Sequence, residues 1–306
     1  MQGIIRKRKG NWKKLLFYIC LIIFPVLQFS LFYVYVNINS FILAFQNYDV
    51  FTNESSFAGF ANFKRVFSDL FVNGAFSIMF KNSLTVWAWT MLVGLPGAVL
   101  FSNYIYKKGP CSNLFKTILY MPHVISSVIL VIIFKYFSDV GVPALWEKAT
   151  GEFIDGLYSN PDTAFPTVLF YTIFMGFGTQ VLMYVSTMSG IDVSVQEAAR
   201  LDGANYLKEL LYITIPLIFP TISTFILTGI AGIFNNQAHL FSFGGANVPG
   251  KIQTLGYYMY SELQQNSTNA TAWPYLSAIS LIFTFIVAPV TFLVKYLLKK
   301  FGPKVE

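Results

Sequence analysis

Glu197-Ala198-Ala199-Arg200-Leu201-Asp202-Gly203-Ala204, leading on to Ile213-Thr214-Ile215-Pro216, is the stretch on which the reading of this chain turns. It reads as a short amphipathic helix, a break, and a second helix. Ala198 and Ala199 give the first helix a surface of little bulk, suited to lying in another protein's groove. Glu197 can accept hydrogen bonds near the helix start, where negative charge is favoured. Gly203 permits a turn that a residue with a Cβ would resist.

The surroundings of this loop are apolar. The chain has 306 residues, of which 55% are hydrophobic, 18% aromatic and 11% charged. An average soluble domain is about 25% charged. Soluble, disordered and fibrous classes are therefore excluded, and the chain reads as an all-α polytopic membrane protein. Six apolar segments are long enough to cross a bilayer: Leu15–Val36, Ser83–Tyr106, Leu114–Phe134, Ala164–Thr187, Leu211–Phe234 and Tyr275–Leu298. The first follows the basic residues Arg6, Lys7, Arg8, Lys9, Lys13 and Lys14, as a signal peptide would. It is too long for that and lacks a small-residue cleavage site, so it reads as an uncleaved span. Cys20 lies in that span and Cys111 in a polar loop, which gives neither a disulfide framework nor a metal spacing.

Lysine and arginine set the orientation. With both termini in the cytoplasm, 15 of the 21 cations fall inside. They are the N-terminal six, Lys107, Lys108, Lys116, Arg200, Lys208, and the C-terminal Lys295, Lys299, Lys300 and Lys304. The net charge of +7 thus orients the protein in a bilayer rather than pointing to nucleic acid. Phe57–Phe76 has apolar residues at helical spacing and suits either an interfacial helix or an outer helix packed on the bundle. Ser138–Asp162 reads as an acidic external segment, and Asn235–Trp273 as a polar, Gly-rich one.

The span interiors carry no Asp, Glu, Lys or Arg, whereas ion-coupled carriers place ionisable or unwound positions at mid-membrane. His123, beside Pro122, is the one titratable group well inside a span and reads as a hydrogen-bonded packing residue. There is no nucleotide-binding loop, metal cluster or catalytic set. Pro25, Pro96, Pro122, Pro166, Pro216, Pro220 and Pro289 recur through the spans, with Gly94, Gly97, Gly176, Gly178, Gly229 and Gly232 nearby. Broken helices are tolerated in membranes where neighbours or a cavity satisfy the freed backbone. That favours a bundle that rearranges over a passive anchor.

The loop between the fourth and fifth spans resembles the EAA motif of binding-protein-dependent ABC importer permeases: EAA, three residues, Gly, nine residues, then I-x-L-P. Ile215 stands in the Leu position. The string EAARLDGA is similar to the sugar-permease version. Ala44-Phe45-Gln46-Asn47-Tyr48, Phe57-Ala58-Gly59-Phe60-Ala61-Asn62-Phe63, Tyr120-Met121-Pro122 and Gly244-Gly245 resemble further segments of the oligosaccharide, MalF-like group. Ala246 departs from its GGP. A large external insert of the maltose permease has no counterpart here.

The resemblance implies a MetI-like, type I ABC importer permease fold with cytoplasmic termini, in a bacterial cytoplasmic membrane. It implies a basic tail at 1–14, a first span and external loop at 15–82, a permease core at 83–298 with its EAA loop at 188–210, and a tail at 299–306. It also implies a second homologous permease, two ATP-binding subunits that carry ATP and Mg, and an extracellular solute-binding lipoprotein. This chain itself would hold no cofactor, catalyse nothing and bind no nucleic acid. Glu197, Ala198, Ala199, Asp202 and Gly203 would form the ATPase contact. The solute would be a sugar or oligosaccharide. A non-sugar solute, or an ion-coupled carrier, is the alternative.

A saccharide needs amides for its hydroxyls and aromatic faces for its C–H surfaces, with little net charge. Two places supply these: Phe177, Thr179, Gln180 and Tyr184 in the fourth span, and Asn235, Asn236, Gln237 and His239 after the fifth. The resemblance places sugar contacts in the same two regions.

Overall fold

The computed structural model describes residues 12–49, 52, 54–72, 74–266 and 271–303. Arg6, Lys7, Arg8, Lys9 and Lys304, and the side chains of His123 and Arg200, lie outside the described residues. Six helices are long and apolar enough to cross a membrane: α1 Trp12–Leu43, α3 Gly74–Tyr106, α5 Ser127–Thr150, α6 Ala164–Met188, α8 Tyr206–Ala231 and α11 Ala272–Phe301. Between them lie α2 Ala61–Val72, α4 Ser112–Tyr120, α7 Val193–Leu201, α9 Leu240–Gly244 and α10 Leu255–Gln265.

The chain divides into two compact units, Met1–Lys64 with Asn269–Leu281, and Arg65–Thr268 with Ile282–Glu306. In the first, α1 has no buried residue in its apolar window, as a lipid-facing helix requires. After it, β1 Gln46–Asp49 pairs antiparallel with β2 Glu54–Phe57, Gln46 opposite Phe57. The all-α expectation omits this hairpin, which is too polar to register as alternating strands. Its base is closed by Asn62, whose amide donates to the carbonyls of Ala44 (3.0 Å) and Gln46 (2.8 Å). Phe45 packs on Phe60 and Phe63 beside it.

In the second unit, proline shapes the helices. Pro96, Pro143 and Pro216 each lie two residues beyond a widened π turn, at Thr90–Gly94, Phe137–Gly141 and Leu210–Thr214. The residue just before each proline donates its N–H five residues back: Leu95 to Thr90, Val142 to Phe137, Ile215 to Leu210. A proline inside a helix removes one bond and pushes its ring at the carbonyl four residues back, at a cost of about 3 kcal/mol. The wider turn moves that carbonyl aside while keeping its neighbours bonded.

The expected third span, Leu114–Phe134, is corrected. Apolar content continues through Pro122, but the helix does not. α4 ends at Tyr120, Met121–His123 form a tight turn, and extended Ser126 (φ −54°, ψ 130°) starts α5. The membrane-length helix is α5, so Asp139 and Glu147, expected in an external loop, are helical. α8 also starts earlier than expected, at Tyr206, because the Asn205 side chain caps it by accepting from the Lys208 N–H (2.9 Å).

Two apolar clusters hold this unit. One joins Leu95, Ala98, Val99 and Ile105 of α3 to Val181, Tyr184 and Val185 of α6 and to Ile218 and Ile222 of α8. A Cβ at Gly97 would meet Phe177 only at ordinary contact distance (3.5 Å), and Ser102 Oγ bonds the Val181 carbonyl (3.2 Å). The other gathers Val86, Val131, Val168, Tyr171 and Met175 around Ala238, Leu240, Phe243, Val248 and Tyr257 of the segment after α8.

That segment is pinned by its own backbone. Asn82 donates to the carbonyls of Lys251 and Gln253 (both 2.9 Å), and the Leu255 N–H donates to Ser83 Oγ (3.0 Å). Gly256 lies so close to Asn235 and Asn236 that a Cβ there would meet backbone at 2.6 Å. Gly250 has no atom within 4 Å of such a Cβ. Gly256→Ala is therefore expected to cost about 1–3 kcal/mol by overpacking and to lower the melting temperature of the detergent-solubilised chain. Gly250→Ala should leave it unchanged. Equal melting temperatures would contradict this account of the turn.

Candidate functional site

Helix α8 ends at Ala231, and the chain then turns through Gly232–His239 in an irregular path. Ala238 and His239 both take the left-handed conformation (φ 50° and 58°), each at a cost of roughly 1–2 kcal/mol for a residue with a Cβ. Strain persists only where surrounding contacts over-determine it, and here they do. Asn236 Oδ1 accepts from the Ala238 N–H (2.8 Å), Thr172 Oγ1 donates to the Ala238 carbonyl (3.2 Å), and Thr254 Oγ1 donates to the Asn236 carbonyl (2.9 Å). Tyr171 stands edge-on to the His239 ring, centroids 5.3 Å apart.

The turn faces two adjoining cavities. The first, about 290 Å³, lies between Ser83, Trp87, Thr90 and Met91 of α3 and Thr228, Gly229, Asn235 and Asn236. The second, about 440 Å³, is lined by Thr90, Pro122, Ser127, Thr172, Gly176, Asn236 and His239. Asn236 and Thr90 belong to both walls. Neither wall includes an Asp, Glu, Lys or Arg among the described residues.

The hydrogen-bonding character of the walls follows from the helices. Ser83, Thr90 and Thr228 donate their hydroxyl protons to carbonyls four residues back, at 2.8–3.0 Å, and Thr172 shares its proton between the carbonyls of Val168 (2.9 Å) and Ala238 (3.2 Å). Lone pairs remain as acceptors, one of those on Ser83 being taken by the Leu255 N–H. Trp87 brings an indole to the wall of the smaller cavity, its Nε1 itself buried and without a hydrogen bond among the described residues. Burial holds the His239 imidazole below its usual pKa, so at neutral pH it is an uncharged ring.

The sequence-predicted residues separate. Asn235 and Asn236 are exposed and line the cavities; Gln237 is half-buried and lines neither. Gly176 of α6 reaches a cavity wall, but the predicted residues Phe177, Thr179, Gln180 and Tyr184 line neither cavity. Phe177 packs on Phe101, Tyr184 is fully buried against Phe225, Gln180 is buried, and Thr179 is exposed on the helix surface. Trp87, Ser83, Thr90 and Thr228 line the smaller cavity as well, beyond the residues that the sequence singles out. Their signal was a polar stripe at helical spacing, Ser83–Trp87–Thr90, on an otherwise apolar span.

The second feature is α7. Asp192 caps it by accepting from the Ser194 N–H (2.9 Å), a bond that draws its carboxyl below the usual range. At the other end Gly203 is left-handed (φ 75°) and the Ala204 N–H bonds the Ala199 carbonyl (2.9 Å), closing a Schellman turn. Glu197, Ala198 and Asp202 are exposed, whereas Ala199 is buried against the protein. Val193, Val195 and Leu201 add exposed apolar side chains, Leu201 at 89%.

A family model described as "Binding-protein-dependent transport system inner membrane component" matches residues 92–306. The chain belongs to this family. The permease is 27% identical over 243 residues to the arabinooligosaccharides transport system permease protein AraP of Bacillus subtilis (strain 168), covering 78% of this chain and 75% of AraP. It is 25% identical over 204 residues to the maltose/maltodextrin transport system permease protein MalF of Vibrio vulnificus (strain YJ016), covering 65% of this chain and 39% of MalF. A solved bacterial alginate ABC transporter, in complex with an alginate pentasaccharide-bound periplasmic protein, contains a chain of the same fold. Its TM-score is 0.76 at 18% identity, over 96% of this chain and 98% of that one. The six apolar helices and the family together make the permease a multi-pass bacterial inner membrane protein.

Gly203 sits in open space, so its role is conformational. Gly203→Ala should cost about 1 kcal/mol through the left-handed φ alone. It is expected to speed amide exchange at Leu201–Ala204 several-fold without changing the melting temperature of the chain. Unaltered exchange there would show that the turn does not depend on glycine.

Proposed function

We propose that the permease carries a neutral sugar or oligosaccharide through the cavities between α3, α6 and the Gly232–His239 turn. The observation that carries this reading is the lining: uncharged, with hydroxyl acceptors, the Asn235 and Asn236 amides and the Trp87 indole. Saccharide sites need that combination, whereas a cavity for an anionic or cationic solute would present an opposite charge. The names of AraP and MalF agree with it.

The finer assembly belongs to the same proposal. α7 lies in the cytoplasm, with both termini, as the distribution of 15 of 21 cations favours. Glu197, Ala198, Asp202 and the exposed Leu201 dock into an ATP-binding subunit, and Gly203 sets the turn. Ala199 packs inward and holds α7 against the membrane base. A second permease of similar fold completes the pathway, and two ATPase subunits holding ATP and Mg act below the pair. A solute-binding lipoprotein delivers the sugar from outside. The residue division at 1–14, 15–82, 83–298 and 299–306 goes with this reading, the core carrying both the cavities and α7.

Two measurements test it. Asn235→Ala removes an exposed amide from the wall of the smaller cavity; losing one hydrogen-bond partner of a bound sugar costs about 1–3 kcal/mol. The half-saturating sugar concentration for uptake should rise roughly tenfold, with the ATPase still bound. Uptake at wild-type affinity would place the sugar elsewhere. Ala198→Arg should abolish co-purification of the ATPase while the chain stays in the membrane, and retained co-purification would sink the docking assignment.

A further inference from the structure

At the base of the bundle, Lys107 follows the last residue of α3 and Glu209 lies in the first turn of α8. Their side chains form an ion pair, and both are largely buried, 15% and 6% exposed. Lys107 Nζ also donates to Gln196 Oε1 on α7 (3.1 Å) and stands 5.5 Å from the Tyr106 ring centroid. Gln196 Nε2 in turn donates to the Tyr106 hydroxyl. One ammonium thus touches three elements: the end of α3, the start of α8 and the middle of α7.

The charges are placed where their own helices favour them. A cation at a helix C-terminus and an anion at a helix N-terminus both complement the macrodipole. Here the two helix ends face each other, so each charge is stabilised by its own helix and by its partner. Charge-assisted hydrogen bonds of this kind are roughly twice as strong as neutral ones. By contrast α7 itself is loosely seated, with Val193, Val195, Glu197, Ala198 and Leu201 exposed and Ala199 buried.

We propose that Lys107 is a positioning residue that fastens α7 to the bases of α3 and α8, so that a displacement of α7 moves both spans together. The proposal rests on the reading of α7 as the ATPase docking helix. α3 carries Ser83, Trp87 and Thr90, and α8 leads into Asn235 and Asn236, so the two spans it fastens are opposite walls of one cavity. Without the ammonium, α7 keeps the Gln196–Tyr106 bond to α3, but no charged link joins α3 and α7 to the start of α8, and the two spans can respond separately. ATP hydrolysis then continues while the cavity fails to open in step.

The test uses the assembled transporter with its binding protein in proteoliposomes. Lys107→Met should keep the ATPase bound and raise ATP consumed per solute imported by roughly fivefold or more, the lower bound of a typical coupling. Lys107→Arg, which keeps charge and reach, should restore the wild-type ratio. Because Lys107→Met leaves Glu209 buried without its cation, folding is controlled with Lys107→Met/Glu209→Leu. Removing both members of a buried ion pair is often neutral for stability, so this double variant should melt like wild type yet remain uncoupled.

Amide exchange of α7 in the solubilised full chain gives an independent reading: it should quicken in Lys107→Met and in the double variant, and recover in Lys107→Arg. A wild-type ATP-to-solute ratio in the double variant, or unchanged exchange of α7, overturns the proposal. So does a parallel loss of hydrolysis and uptake at constant ratio. If Ala198→Arg still binds the ATPase, the docking reading fails instead, and the exchange data still decide whether Lys107 holds α7.

Discussion

Every backbone N–H and C=O inside a bilayer must find its partner within the protein, since lipid offers none. The architecture of this permease follows from how it meets that demand where helices are interrupted. At Pro96, Pro143 and Pro216 the solution is local. The π turn just before each proline re-pairs the backbone five residues back, so α3, α5 and α8 stay continuous across a residue that ordinarily breaks a helix. At Pro122 no such turn forms, and the chain leaves the helix and re-enters as α5. That break lies on the wall of the larger cavity, the setting in which non-helical backbone is tolerated at depth.

The Gly232–His239 turn answers the same demand with side chains. Asn236, Thr172 and Thr254 take over the hydrogen bonds a helix would have supplied, and Gly256 admits the backbone that they hold. The cost is two left-handed residues. What results is a polar edge on an apolar bundle, with Asn235 and Asn236 lining the cavities. The stabilising contacts come from α3, α6 and α10, so the geometry of the edge depends on how those helices are placed relative to one another.

These same facts explain what could be read from the sequence. Hydropathy located the spans because about 20 apolar residues have few other uses. It failed between Leu114 and Phe134, where apolar character continues through a proline break that hydropathy does not register. The Asn235–Asn236 pair stood out as amides at the end of an apolar run. Trp87 and Thr90 did not, because hydroxyls and indoles are common in spans and a threonine bonded to its own helix gives no outward sign. Phe177 and Tyr184 looked like a sugar platform by type. Phe177 packs on Phe101 of α3 and Tyr184 is buried against α8, a distinction between cavity and interior that spacing along one helix does not carry. The small hairpin was missed because Gln46–Asp49 and Glu54–Phe57 have no apolar alternation to reveal.

The loop that marked the family was legible for a different reason. Its two alanines and the left-handed Gly203 follow local rules, whereas the caps Asp192 and Asn205 start α7 and α8 earlier than the sequence suggests. Local rules depend on neighbours in sequence, so spacing alone recovers those three residues. What spacing does not show is how the loop is fastened to the bundle. Lys107 is separated by 89 residues from Gln196 and 102 from Glu209, and in sequence it reads as one more cation that orients the protein. In the fold it is almost enclosed, and enclosure changes what a charge does. A solvated lysine at a membrane face contributes to topology and little else. A buried one bonded to a carboxylate and an amide fixes three helices in register, and its loss is felt as relative motion among them.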